Sequence, residues 1–207
     1  MDEPFGDQHK DALRRLASSL RSLVESSVAL TAPLAELEAL AADADALRAR
    51  AAAHAGQRPF PAYAAPVDGD LATILPWGVI SGPYNPIAAP VIMHIDDGKA
   101  YGTVTFGLPY EGPPGGVHGG VVAMVFDQIL AFAAVAAGIP GHTRSLTTAY
   151  RRITPLHTEL RFAAWVERTE DRKVFVRGDC HAGDTLVSEA DAVFIRFRDD
   201  AARAFAT

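Results

Sequence analysis

One carboxylate constrains the fold of this chain more than any other residue. Asp127, with Gln128 beside it, interrupts the longest apolar stretch, Val121 to Ile139. A membrane-spanning helix needs about 20 mostly apolar residues, and an acidic side chain at its centre is costly in lipid. The stretch therefore reads as the core helix of a soluble protein, ending near Gly138 and Pro140 as helices commonly do. A helix apolar nearly all round is expected to be covered on every side. A single antiparallel sheet wrapped around a single helix meets that demand; a two-layer α+β sandwich is the alternative. A carboxylate buried there is expensive unless it has partners. Asp127 is then either a structural group bonded to backbone across an interface, or a general base or nucleophile in a partly dry pocket.

The chain changes character near residue 56. No glycine occurs between Gly6 and Gly56, and no aromatic residue between Phe5 and Phe60. Leu13, Leu16, Leu20 and Leu23 fall on one helical stripe. Leu30, Leu34, Leu37, Leu40, Ala44 and Leu47 resume the pattern after an interruption at Thr31-Ala32-Pro33. Proline is tolerated in a helix's first turn and threonine is a good N-cap. Two helices are expected, over 8–30 and 32–54, joined near Thr31. A region rich in proline and glycine follows, from 56 to 90. Beyond it, Val91–Ile95 and Ala100–Phe106 flank Asp97-Gly98, a hairpin signature. After the apolar helix, 145–152, 159–167, 173–181 and 186–198 read as four strands.

Composition narrows the function classes. One cysteine, Cys180, cannot form an internal disulfide, which points to a reducing, cytoplasmic setting. The start Met1-Asp2-Glu3 lacks the basic and apolar segments of a signal peptide. A net charge of −6 weighs against a nucleic-acid binder. The acidity is uneven: residues 1–100 carry 8 basic and 13 acidic groups, whereas 144–178 carry 8 basic and 4 acidic. The chain has no G-x-G-x-x-G, no P-loop and no G-x-S-x-G. His54, His94, His142, His157 and His181 show no metal-ligand spacing, so no metal site is expected.

Gly116-Val117-His118-Gly119-Gly120 stands where the chain enters the helix. The first turn of a helix presents unpaired N–H groups and a partial positive charge, and such donors can hold an oxyanion. Gly119 and Asp127 are eight residues apart, about 12 Å along one helix. One carbonyl group cannot touch both. It can if two such helices run antiparallel in a dimer, so a two-fold dimer with two composite sites is expected.

His118-Gly119-Gly120, Asp127 nine positions after the histidine, and Leu146 to Leu156 with Tyr150-Arg151-Arg152 and Pro155 together resemble the hotdog-fold acyl-CoA thioesterases of the PaaI type. Glu111 to His118 and the 178–198 segment are also similar to mitochondrial thioesterase members of that superfamily. The resemblance implies an α+β hotdog fold over 78–198, preceded by a helical extension at 1–58 and a linker at 59–77, and followed by a tail at 199–207.

It also implies roles. Gly119 would donate its N–H to the thioester oxygen, and His118 would hold the loop or the carbonyl. Asp127 would activate water or attack directly, and Thr143 would orient water. Some relatives carry glutamine six positions before the histidine; Gly112 stands there in this chain, so that role is absent. Gly120, Tyr150, Arg151, Arg152, Arg168, Arg172 and Lys173 would border the channel for coenzyme A, whose phosphates favour arginine and lysine. Coenzyme A would enter as part of the substrate, with no other cofactor, and the chain would form dimers and dimers of dimers. Two alternatives remain: a hydratase or dehydratase of acyl thioesters, and a non-catalytic acyl-CoA-binding protein.

Overall fold

A computed structural model of the chain describes residues 6–56 and 74–197. Most of the expected linker and all of the expected tail lie outside the described residues. Helices α1 (Asp7–Ser27) and α2 (Leu34–Ala52) come first. The hairpin β1 (Ile92–Asp96) and β2 (Lys99–Thr105) follows, then a 3-10 turn at Leu108–Tyr110 and helix α3 (Gly119–Ala136). Strands β3 (Gly141–Tyr150), β4 (Glu159–Glu170), β5 (Lys173–Ala182) and β6 (Thr185–Arg196) complete the fold. The strands form one antiparallel sheet in the order β1-β2-β4-β5-β6-β3. α3 lies against all six. This is the hotdog arrangement expected from the motifs.

Local chemistry sets the punctuation. Asp97 and Gly98 both adopt positive φ, 45° and 69°, as a two-residue turn twisted to match its strands requires. Gly138, at φ 71°, ends α3. There the Gly138 and Ile139 amides donate to the Val135 and Ala134 carbonyls, which otherwise have no intrahelical partner. The core is built on Phe106, Phe126, Phe162 and Phe194, all at most 2% exposed. Phe126 of α3 meets Phe162 of β4 edge to face at 5.2 Å. Truncating such a ring costs about 3–5 kcal/mol, enough to fix the rotation of α3 on the sheet.

That rotation corrects one expectation. α3 is long and apolar enough to cross a bilayer by length and composition alone, yet it is not covered on every side. Val122, Val125, Phe126, Ile129, Leu130 and Ala133 are buried, while Gly120, Met124, Asp127 and Val135 are exposed. Their spacing of three to four, or twice that, makes one continuous stripe. Six strands of one chain curl around only one side of the helix.

The N-terminal helices differ in detail from expectation. Thr31 does not cap α2; the helix starts after Pro33. The ring of a proline pushes the preceding residue, here Ala32, out of helical geometry, so no helix can begin at 32. α1 docks on the sheet domain through Ala17, 2% exposed, and Arg21, which donates to the Asn85 carbonyl at 2.9 Å. α2 buries no residue. A groove of about 630 Å³ separates its Ala44, Leu47 and Ala51 from Leu16, Leu20 and Leu23 of α1.

Cys180 is fully buried. Burial pushes its thiol up to about 12, which leaves almost no thiolate for nucleophilic or redox chemistry. Its neighbour Asp179 is held above the usual carboxylate value, first by burial and then by Glu189, which faces it across β5 and β6; His181 and Arg177 oppose the shift. The folded state thus holds this proton more tightly than the unfolded chain. The associated stability is present at acid pH and is lost as pH rises past 3.8 through the raised value. Asp179→Asn is expected to melt at a higher temperature than the parent at neutral pH, with the gain shrinking in acid. Equal melting temperatures at neutral pH would remove this account of Asp179.

Candidate active site

The site is assembled where α3 crosses β3. Pairing between β3 and β6 runs regularly from Tyr150 opposite Ser188 to Ser145 opposite Val193, then skips Arg144 so that Thr143 faces Phe194. One extra residue in a strand reverses the facing of everything beyond it. Without the bulge at Arg144, Thr143 would point away from α3. With it, Thr143 Oγ1 donates to Asp127 Oδ1 at 2.9 Å. The structure thus brings Thr143 and Asp127 into contact. Asp127 is exposed in the single chain, not buried, because it stands on the uncovered stripe of α3.

The entrance to α3 is held from several directions. His118 is the N-cap residue, and its Nδ1 accepts the Gly120 N–H at 3.0 Å. The His118 N–H donates to the Tyr110 carbonyl at 2.8 Å, and Val117 N–H to the Thr154 carbonyl at 2.8 Å. Glu111 Oε1 accepts the Gly115 N–H at 2.8 Å. Tyr150, at the end of β3, donates its hydroxyl to the Gly119 carbonyl at 2.7 Å. Among the described residues no acceptor meets the Gly119 N–H. It is the first helical amide, aimed outward with the positive end of the helix dipole behind it. A Cβ at Gly112 would lie 2.7 Å from His118 Cα, so the backbone packing there leaves no room for a side chain.

A cleft of about 290 Å³ opens at this point, lined by Pro113, Gly119, Tyr150, Arg151, Arg152 and Ile153. Four of the expected substrate-contacting and oxyanion residues thus share one wall. Gly120 is adjacent, one residue into the helix.

The remaining basic residues do not join them within one chain. Lys173 pairs with Ile195 of β6, whereas Tyr150 pairs with Ser188. Seven residues of strand, about 23 Å, separate the two ends. Arg168 is engaged by Glu167 and Glu170 and stacks 3.7 Å above the Phe175 ring. Arg172 donates to the Arg196 carbonyl at 3.0 Å. Arg151 is paired with Glu189, whose carboxyl is thereby held below its usual value. Arg144, Arg152 and Lys173 carry no ion pair among the described residues. Arg144 and Lys173 flank Phe175 in a separate cleft.

Tyr110, Glu111 and Thr154 were not anticipated from the sequence. Glu111 had a signal, a carboxylate four residues before Gly115 in a glycine-rich turn; the other two act through backbone carbonyls, which leave none.

Residues 114–189 match the family model of the Thioesterase superfamily. Acyl-coenzyme A thioesterase THEM4 of Mus musculus is 34% identical over 92 residues, covering 44% of this chain and 40% of that protein. THEM4 of Xenopus laevis is 37% identical over 91 residues, covering 42% of this chain and 41% of that protein. The chain thus spans about two fifths of the length of these curated relatives. A crystal structure of a thioesterase superfamily protein superposes with a TM-score of 0.79 at 29% identity, covering 88% of this chain and 94% of that one. That coverage exceeds what residues 78–198 alone would give, so the shared architecture reaches into the N-terminal helices. The resemblance drawn from the motifs is borne out.

Proposed function

We propose that this chain, whose residues 114–189 match the Thioesterase superfamily, hydrolyses the thioester of an acyl- or aryl-CoA to a free acid and coenzyme A. The observation that carries this is the pairing of a hydrogen-bonded acid, Asp127 with Thr143, and an outward amide at Gly119 on the same exposed helix.

Within one chain these groups are about 12 Å apart, so the site is composite. β3 is a ten-residue edge strand with one row of backbone groups open to a partner. Antiparallel pairing of β3 with its copy, with the two-fold axis at Thr147 and Arg144 bulged out of the register, sets Thr143 opposite the partner's Tyr150. Gly119 then lies near the partner's Asp127. The exposed stripe of Met124, Asp127 and Val135 is covered by the same contact. Arg151 and Arg152 at one end of β3 also meet Arg144 and Lys173 of the partner subunit, giving one basic rim for the coenzyme A phosphates. A dimer of dimers is then built through other faces of the chain, since this contact uses both the β3 edge and the open side of α3.

In this arrangement the Gly119 N–H holds the thioester oxygen as it gains negative charge. Asp127 takes a proton from a water that attacks the carbonyl carbon, or attacks that carbon itself to give a mixed anhydride that water then hydrolyses, with Thr143 fixing Oδ1 so that Oδ2 faces the reaction. The carbon–sulfur bond breaks and the departing thiolate is protonated. No cofactor beyond the coenzyme A of the substrate takes part. His118 orders the loop, its Nδ1 accepting the Gly120 N–H.

Thiol release from a panel of acyl-CoAs, read with a thiol reagent, tests the function. Hydration of an enoyl-CoA without thiol release, or binding without turnover across the panel, would overturn it. Thr143→Val is expected to lower kcat on the order of tenfold, the effect of losing one hydrogen bond to a charged group, while KM moves little. An unchanged kcat would remove Thr143 from the mechanism.

A further inference from the structure

We infer that α1 is a working part of this site: Glu25 is a positioning residue that sets the entrance of α3 through the Leu108–Tyr110 turn. The inference rests on the thioesterase function proposed above for its kinetic consequence, but not for its structural one.

Glu25 Oε1 accepts the Leu108 N–H at 3.3 Å across 83 residues of sequence. Leu108 is the first residue of the 3-10 turn, where the N–H has no partner within the turn and a carboxylate can accept it. Gly107 must be glycine for this contact, because a Cβ there would fall on the Glu25 carboxylate. The turn is gripped from its other side by Phe106, which packs edge to face on the Tyr110 ring at 4.9 Å. Tyr110 then supplies the carbonyl that accepts the His118 N–H at 2.8 Å, and His118 caps α3 through Gly120. The path from α1 to the oxyanion amide is continuous: Glu25, Leu108, Tyr110, His118, Gly119. Arg21, one turn before Glu25, anchors α1 at Asn85, so the carboxylate is presented from a fixed helix. A displacement of the turn moves the His118 anchor directly, and misplacing a catalytic group by about 1 Å can cost on the order of 100-fold.

Four variants of the full chain test this: Glu25→Ala, Glu25→Gln, Gly107→Ala and the double variant Gly107→Ala/Glu25→Ala. Two readouts are taken, amide hydrogen exchange at Leu108 and His118, and kcat with KM on an acyl-CoA. Glu25→Ala is expected to speed exchange at both amides and lower kcat on the order of tenfold, with KM nearly unchanged. Glu25→Gln, which keeps a carbonyl acceptor, should restore both. Gly107→Ala alone should resemble Glu25→Ala in exchange, and the double variant should be no worse than Glu25→Ala because the clash is gone. Exchange at His118 that is unaltered in Glu25→Ala overturns the inference, as does a kcat equal to the parent's. If the parent itself releases no thiol, the function proposed above fails, and the His118 exchange still decides the clamp.

Discussion

Asp127→Ala is expected to lower thioester hydrolysis about 10³-fold, within the range a positioned acid or base contributes, while leaving the melting temperature close to the parent's. The two halves of that expectation have separate causes. In one chain the Asp127 side chain is exposed and bonds Thr143, so its removal opens no cavity in the phenylalanine core. Asp127→Asn sharpens the test. The amide oxygen can still accept the Thr143 hydroxyl, but the side chain can neither take a proton nor form an acyl anhydride. The chemistry of the carboxylate is thus lost with its geometry kept, and the loss should match that of alanine. An Asp127→Asn chain with near-parental kcat would show that the carboxylate serves structure alone.

Gly119→Pro is expected to lower kcat by about 10²–10³, the effect of deleting one oxyanion donor. Proline is well suited to this position. Gly119 is the first residue of α3, where the amide has no intrahelical acceptor and proline's fixed φ fits a helix start. His118, with φ −58° and ψ 131°, already has the extended geometry that a following proline demands. The remaining obstacle is the Tyr150 ring, whose nearest atom would lie 3.2 Å from a Cβ at 119. Gly119→Ala makes the control: it meets the same ring but keeps the N–H. Alanine much closer to the parent than proline assigns the effect to the amide. Equal losses in both would assign it to Tyr150 instead.

The legible parts of this protein were those written in local chemistry. A carboxylate inside an apolar run exposed Asp127, and a glycine pair before that run located the helix entrance at Gly119. Asp97-Gly98 named its own turn. What was hidden depends on pairing between distant segments. The bulge at Arg144 has no composition signature; it exists because Thr143 and Ser145 oppose Phe194 and Val193, and it decides that Thr143 reaches Asp127. The exposure of Asp127 was missed because hydropathy reports how apolar a helix is, not whether one chain has enough sheet to cover it. The placement of the basic residues was hidden for a related reason. The resemblance puts Arg168, Arg172 and Lys173 beside the same channel as Arg151 and Arg152; within one chain the antiparallel register sets them at opposite ends of the sheet. The Glu25–Leu108 contact spans 83 residues and leaves no trace in either segment.

The composite site is the central claim, and mixing two inactive chains tests it most directly. Asp127→Ala and Gly119→Pro are combined in equal amounts, unfolded and refolded together. A two-fold dimer carrying one chain of each kind has one site with both groups intact and one with both missing. About half of randomly paired dimers are of this kind, so the mixture should regain about a quarter of the parental rate. Neither variant refolded alone should regain any. A mixture as inactive as its components, with mixed dimers demonstrably present, would contradict the account.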